Sequence, residues 1–217
     1  MKKIVAICVL FLAMIIVWGR VAYSYASIYL IYLPLVQRQI PPVLFPNGDF
    51  EQGPIIWNQY STHGWELIVQ QLPGGITPYD GTWAVWLGGD YAEISSIEQQ
   101  VLVPSELPYM SYWHWIVSSD VCGYDVGKVL VNGAVIEKYW LCDNNDTNGW
   151  IQRLIDLSAY AGSSVSIQIS AECDSYENSN LFIDHVEFRR DLLDTNSTFE
   201  DIINIDGSSL KWVVSGK

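Results

Sequence analysis

Between Leu44 and Arg190 no long stretch carries the three-to-four-residue apolar period of a helix. Short runs that alternate apolar and polar residues follow one another instead. They are Trp65–Gln70, Trp83–Leu87, Glu93–Val103, Tyr109–Ser118, Val126–Val131, Ala134–Leu141, Trp150–Leu157, Ser164–Glu172 and Leu181–Phe188. Turn residues separate them: Pro73-Gly74-Gly75, Pro78-Tyr79-Asp80-Gly81, and Asn132-Gly133, the strongest short hairpin signal. Successive short strands at this spacing, without alternating helices, argue for antiparallel pairing. They predict an all-β fold, an antiparallel β-sandwich of jelly-roll type. Asn47-Gly48-Asp49-Phe50-Glu51 reads as an opening strand led in by a turn, and Leu181–Phe188 as the closing strand. If the two meet as neighbouring edges, they bring Glu51 and Asp184 to one seam, with Asp49 or Asp80 beside them. Clustered carboxylate oxygens suit a hard cation such as calcium.

The flanks have a different character. Lys2-Lys3 followed by apolar Ile4–Trp18 has the form of a signal peptide, and Ser24-Tyr25-Ala26 is an acceptable cleavage site. Val21–Val36 stays apolar, so a retained helical anchor is the other reading. Both place the rest of the chain outside the cytoplasm, secreted or at the cell surface, and the second gives its one contact with membrane. The sequence therefore divides into a signal or anchor at 1–26, a linker at 27–43, the sandwich at 44–190 and an acidic polar tail at 191–217. The formal charge is −13, and without residues 1–26 the balance is 24 acids against 8 bases. Such a surface does not bind nucleic acid, which needs a basic patch.

Four cysteines are present, and Cys8 lies in the N-terminal segment. Cys122 and Cys142 bracket the Asn132-Gly133 hairpin almost symmetrically, so antiparallel pairing sets them nearly opposite, and a disulfide is expected in an exported chain. Cys173 is left over, either a buried free thiol or a link to another chain. No cysteine pair has zinc-ligand spacing. His63, His114 and His185 are scattered, with no His-Glu-x-x-His run and no Gly-x-Ser-x-Gly elbow. The expectation is a binding module and not an enzyme, with a hydrolase using two of the 24 acids as the lesser alternative.

Several of these segments resemble known modules. Asn47-Gly48-Asp49-Phe50-Glu51 and Phe182-Ile183-Asp184-His185-Val186 resemble the opening and closing segments of carbohydrate-binding modules with the galactose-binding-like jelly-roll fold. Trp83–Gly89, Tyr112-Trp113, Gly123-Tyr124-Asp125 and Leu157–Gly162 resemble the related MAM-like modules of bacterial secreted metallopeptidases. The resemblance implies the fold and, at the seam, a structural calcium. Its ligands would be the carbonyls of Gly48 and Trp83 and the carboxylates of Glu51, Asp80 and Asp184. Without an ion, Glu51 and Asp184 would cap turns and accept backbone hydrogen bonds.

Ten tryptophans and thirteen tyrosines are the best functional lead. Along Tyr109–Val117 one face carries Trp113 and Trp115, and the other Met110, Tyr112, His114 and Ile116. The family register turns Met110, Tyr112 and Ile116 inward. That leaves Trp113 and Trp115 to stack on a sugar, joined by Trp140 and by Trp57 or Tyr60, with Asp120, Asp125 or Glu93 supplying hydrogen bonds. The competing expectation is that these indoles fill the sandwich. The partner implied is a polysaccharide or cell-surface glycan. The alternative is a protein contacted by an adhesion module.

Overall fold

The computed structural model describes residues 43–190. The expected signal or anchor, nearly all of the linker, Cys8 and the acidic tail lie outside the described residues. Among the described residues eleven strands are formed: β1 (Val43–Leu44), β2 (Asn58–Ser61), β3 (Ile68–Val69), β4 (Ala84–Gly88), β5 (Ile94–Leu102), β6 (Tyr109–Ser118), β7 (Val126–Val131), β8 (Ala134–Trp140), β9 (Ile151–Asp156), β10 (Ser164–Glu172) and β11 (Ser179–Arg189). The helical elements among the described residues are three single 3-10 turns.

The strands make two antiparallel sheets, as the alternation predicts. One has the order β3-β4-β11-β6-β9, with β1 also paired to β11, and the other β2-β5-β10-β7-β8. Their inner faces bury Met110, Tyr112 and Ile116 of β6 against Ile97 of β5 and Ile167 and Ile169 of β10. At roughly 25 cal/mol per Å2 of apolar surface, this layer is the main force closing the sandwich.

The closing strand is central to its sheet, not at an edge. β4 pairs with Asn180–Ile183, and β1 takes over beyond it, with Val43 opposite Phe188. A register shift between Asp184 and Glu187 marks a bulge. His185 sits there at φ 52°. The extra residue switches the inward set from Leu181 and Ile183 to Val186 and Phe188, all buried.

The strand expected over Asn47–Glu51 does not form. The segment is a series of turns, with Asn47 at φ 51° and Phe50 at φ 58°. The reason lies in Asn47, whose side-chain amide donates to the carbonyls of Gly53 and Ile55 and whose Oδ1 accepts from Gln52 N–H. These local bonds outcompete a ladder. Gly48 N–H bonds the Phe45 carbonyl, and the Gly48 carbonyl accepts Val186 N–H at 2.7 Å. The opening and closing segments thus do meet.

The disulfide forms as expected, Cys122 to Cys142 with Cα atoms 4.9 Å apart, and Cys173 is free and buried.

Candidate functional site

At the seam, the turn over Tyr79–Trp83 is held from two sides by carboxylates. Asp184 is fully buried on β11, and its Oδ2 accepts the N–H groups of Tyr79 at 2.9 Å and Asp80 at 3.1 Å. Its Oδ1 accepts His185 N–H at 2.7 Å. Burial pushes the Asp184 carboxyl up to about 7 against the pull of these donors. Glu51 Oε1 accepts Thr82 N–H and Trp83 N–H, both at 2.8 Å, and Oε2 accepts the Thr82 hydroxyl at 3.0 Å. Burial raises this carboxyl, but the three donors outweigh it and the net shift is downward. Gly81, at φ 63°, lies so close that a Cβ there would meet the Glu51 carboxyl at 2.3 Å.

The five residues expected to hold calcium are therefore distributed along one seam, but oxygens of Gly48, Glu51, Asp80 and Asp184 accept N–H donors. The Gly48 carbonyl is bound to Val186 N–H, and Asp80 is largely exposed, its Oδ1 accepting Gly81 N–H. Among the described residues, the acid and cysteine groups whose ligand atoms converge within 4.8 Å are elsewhere. As arranged here, Glu51, Asp80 and Asp184 do not form a ligand set.

The outer face of the β4-β11-β6 sheet carries the aromatic cluster. Trp86 of β4 lies opposite Phe182 of β11, which lies opposite Trp115 of β6. Cross-strand neighbours on one face are in contact, and the three make a row. Trp150 meets Trp115 edge to face at 6.0 Å, and its indole N–H donates to the Thr77 carbonyl at 2.9 Å. Trp86 donates to Asn180 Oδ1 at 2.9 Å. The segment after β3 lies across this face, and Leu72 and Ile76 join the row in a second apolar layer. Tyr79, carried by the same segment, stacks on Trp113 at 4.0 Å and 14° and is itself 40% exposed. Trp86, Trp113, Trp115 and Trp150 are partly exposed.

Trp113 and Trp115 thus face outward while Met110, Tyr112 and Ile116 face inward. Trp113 is stacked under Tyr79, and both rings keep some exposure. The other residues expected to touch ligand are not brought to this face. Trp57 is 4% exposed and packs in the core against Phe45 and Phe50, its indole N–H bonded to the Asn47 carbonyl. Tyr60 and Trp140 belong to the opposite sheet, where the Lys138 ammonium lies 4.5 Å from the Trp140 ring. Glu93, Asp120 and Asp125 are buried, at 0%, 4% and 0% exposure, and cannot reach a ligand on an open sheet. Glu93 Oε2 bonds His63 through both N–H and Nδ1.

Sequence reading missed Tyr79, Trp86 and Trp150 as members of the cluster. An aromatic in the turn Pro78-Tyr79-Asp80-Gly81 is a usable signal, since a turn has no inner face. Trp86 needs the strand order, which no residue pattern supplies.

At the open edge between β8 and β9 a cavity of about 240 Å3 is lined by His114, Tyr139, Trp140 and Arg153, among others. Arg153 pairs with Glu137 and lies 4.0 Å over the Tyr139 ring. Burial, aided by the Arg153 charge, lowers His114 to about 4, and burial raises Tyr139 to about 12.

No protein-family model matches the chain, and no curated protein matches it. Several solved structures are similar to it. TmCBM61, whose structure is a complex with beta-1,4-galactotriose, has a TM-score of 0.51 at 18% identity over 69% of this chain and 99% of its own. The K3 cleaved adhesin domain of Lys-gingipain from Porphyromonas gingivalis has a TM-score of 0.47 at 14% identity, covering 70% and 99% of the two chains. A family 11 carbohydrate-binding module of a Clostridium thermocellum cellulase has a TM-score of 0.42 at 12% identity, covering 70% and 96%. At these identities the likeness to TmCBM61 establishes the jelly-roll sandwich, a fold that carbohydrate-binding modules use, and nothing of the ligand.

Proposed function

We propose that the chain is a non-catalytic module that binds carbohydrate on the outer face of the β4-β11-β6 sheet. The observation that carries this reading is the group of Tyr79, Trp86, Trp115 and Trp150, partly open to solvent on one sheet face. Aromatic rings stack on the CH-rich faces of sugars, and flanking amides orient the hydroxyls. Asn180 and Gln152, both partly exposed, are the amides nearest in register to Trp86 and Trp113. The reading needs no ion at the seam, where Glu51 and Asp184 hold the Tyr79 turn through its own N–H groups. His63, His114 and His185 go to a surface ion pair, the core and the β11 bulge, which favours binding over acid–base catalysis. Action outside the cytoplasm is supported by the Lys2-Lys3 and Ile4–Trp18 segment and by the disulfide.

Calorimetry against a polysaccharide panel tests the proposal, with β-1,4-galactan included because TmCBM61 was solved with galactotriose. Binding to at least one glycan is expected. Tyr79→Ala and Trp115→Ala should each weaken it by at least about tenfold, the loss of roughly 1.4 kcal/mol of stacking. A folded protein that binds no glycan, or binding unchanged in both variants, would refute the assignment. A protein-contacting adhesion module is the second reading, favoured by the Leu72–Tyr79 segment covering part of the aromatic row.

A further inference from the structure

Three carboxylates meet at one end of the sandwich, away from the aromatic face. Asp120 and Asp125 come from the loop between β6 and β7, and Asp174 from the loop between β10 and β11. One carboxylate oxygen of each lies within 4.8 Å of those of the other two. Asp120 and Asp125 are almost completely buried and Asp174 is half-buried. Each Oδ1 accepts one backbone N–H: Val121 to Asp120, Asp174 to Asp125 and Tyr176 to Asp174. The Oδ2 atoms of Asp120 and Asp125 are buried and make no hydrogen bond.

Two buried carboxylates this close repel when both are charged; Asp120 Oδ2 meets no donor, and Asp125 has the Cys173 thiol beside it. The basic side chains with ion pairs are engaged elsewhere: Lys128 with Glu172, Arg153 with Glu137 and Arg189 with Glu187. His63 serves Glu93 and Asp90. The Cys173 thiol, beside Asp125, also reaches the Ser179 carbonyl at 3.5 Å.

We propose that Asp120, Asp125 and Asp174 form a site for a divalent cation of the calcium class. The donors are all oxygen, the choice of a hard cation. Their oxygens lie close enough together for one ion to reach all three with bonds of about 2.4 Å. Water completes the coordination from the side of half-buried Asp174. The frame is built before the ion arrives. The Cys122–Cys142 disulfide staples the loop bearing Asp120 and Asp125 to the end of β8. Asp143 N–H and Leu141 N–H bond the carbonyls of Asp120 and Asp125, both at 2.9 Å. Ala92 N–H bonds the carbonyl of Asp174. The bound ion would tie the β6–β7 and β10–β11 loops together. This inference is independent of the glycan reading.

The test uses the full chain, stripped with EDTA and returned to calcium chloride, read by thermal unfolding and by terbium luminescence sensitised through tryptophan. At a hundred times the dissociation constant, calcium should raise Tm by roughly 5–10 °C, and calcium should displace terbium. Asp174→Asn, on a half-exposed turn, and Asp125→Asn should each abolish most of the shift, whereas Glu51→Gln at the seam should keep it. In EDTA, Asp125→Asn should be at least as stable as the parent, because it removes one of two closely spaced buried carboxylates. That outcome separates an ion site from a merely structural contact. The proposal falls if calcium leaves Tm unchanged and terbium does not bind. It falls equally if the shift survives in both aspartate variants, or is lost in Glu51→Gln or Asp184→Asn while Asp174→Asn retains it.

Discussion

Gly48 shows how one missing Cβ closes the sandwich. A methyl group there would sit 2.2 Å from the Val186 carbonyl oxygen and 3.0 Å from Phe45 N, both backbone atoms that cannot swing aside. The contact that joins the opening and closing segments, Val186 N–H to the Gly48 carbonyl, needs that approach. Gly48→Ala should therefore cost about 3 kcal/mol or more and lower Tm by at least roughly 6 °C, as read by thermal unfolding. Asn47 and Glu51 do related work with side chains. Asn47 satisfies the turns that replace a strand, and Glu51 satisfies the turn that presents Tyr79. Asn47-Gly48 signals a turn in the sequence. That the turns run on through Glu51 was not legible, because Gly53, Ile55 and Trp57, which Asn47 binds, are six to ten residues away.

The hairpin of β7 and β8 is the element most legible in the sequence. Asn132 and Gly133 both take positive φ, as a two-residue hairpin turn requires, and the flanking alternation places both strands. The disulfide follows from that register, and it closes a loop with a sequence separation of 20. A loop of this size restricts the unfolded chain by about 3 kcal/mol. Replacing Cys122 and Cys142 by serine should lower the unfolding midpoint by roughly 6–12 °C, with calorimetry as the readout. β11 is a subtler element. Its core-facing residues step by two from Leu181 to Ile183, by three to Val186 and by two to Phe188, while Phe182 faces outward. The step of three is the mark of the bulge, and it turns His185 toward Glu187, 3.5 Å away. The side-chain bond to Glu187 raises the His185 imidazole above its usual range.

The stability of the whole molecule against pH reflects two buried groups with opposite signs. His114 titrates near 6.5 in the unfolded chain and about 4 in the fold, so the unfolded state takes its proton first and stability falls as pH drops from 6.5 to 4. Asp184 titrates near 3.8 unfolded and about 7 folded, so its contribution is present below 3.8 and is lost as pH rises through 7. The parent curve therefore hides both, and a difference measurement reveals one. Between pH 7 and pH 4 the parent should lose about 3 kcal/mol more stability than His114→Leu, measured by urea unfolding at several pH values. Parallel curves for the two proteins would contradict the burial of His114 beside Arg153.

Alternation and turn chemistry determined that this chain builds an antiparallel sandwich, where most of its strands run, and which cysteines pair. These are properties of neighbours in sequence, and steric and hydrophobic periodicity act at that range. Which side chains share a surface was decided only by the order of strands in the sheets. Trp86 reaches Trp115 through Phe182 because β11 lies between β4 and β6, and Trp57 enters the core because Asn47 folds the opening segment back upon it. Asp120 and Asp125, which by type belong on a wet surface, are enclosed together with Asp174 because the β6–β7 and β10–β11 loops come to the same end of the sandwich. Burial and convergence are sums over distant segments, and no local pattern encodes them.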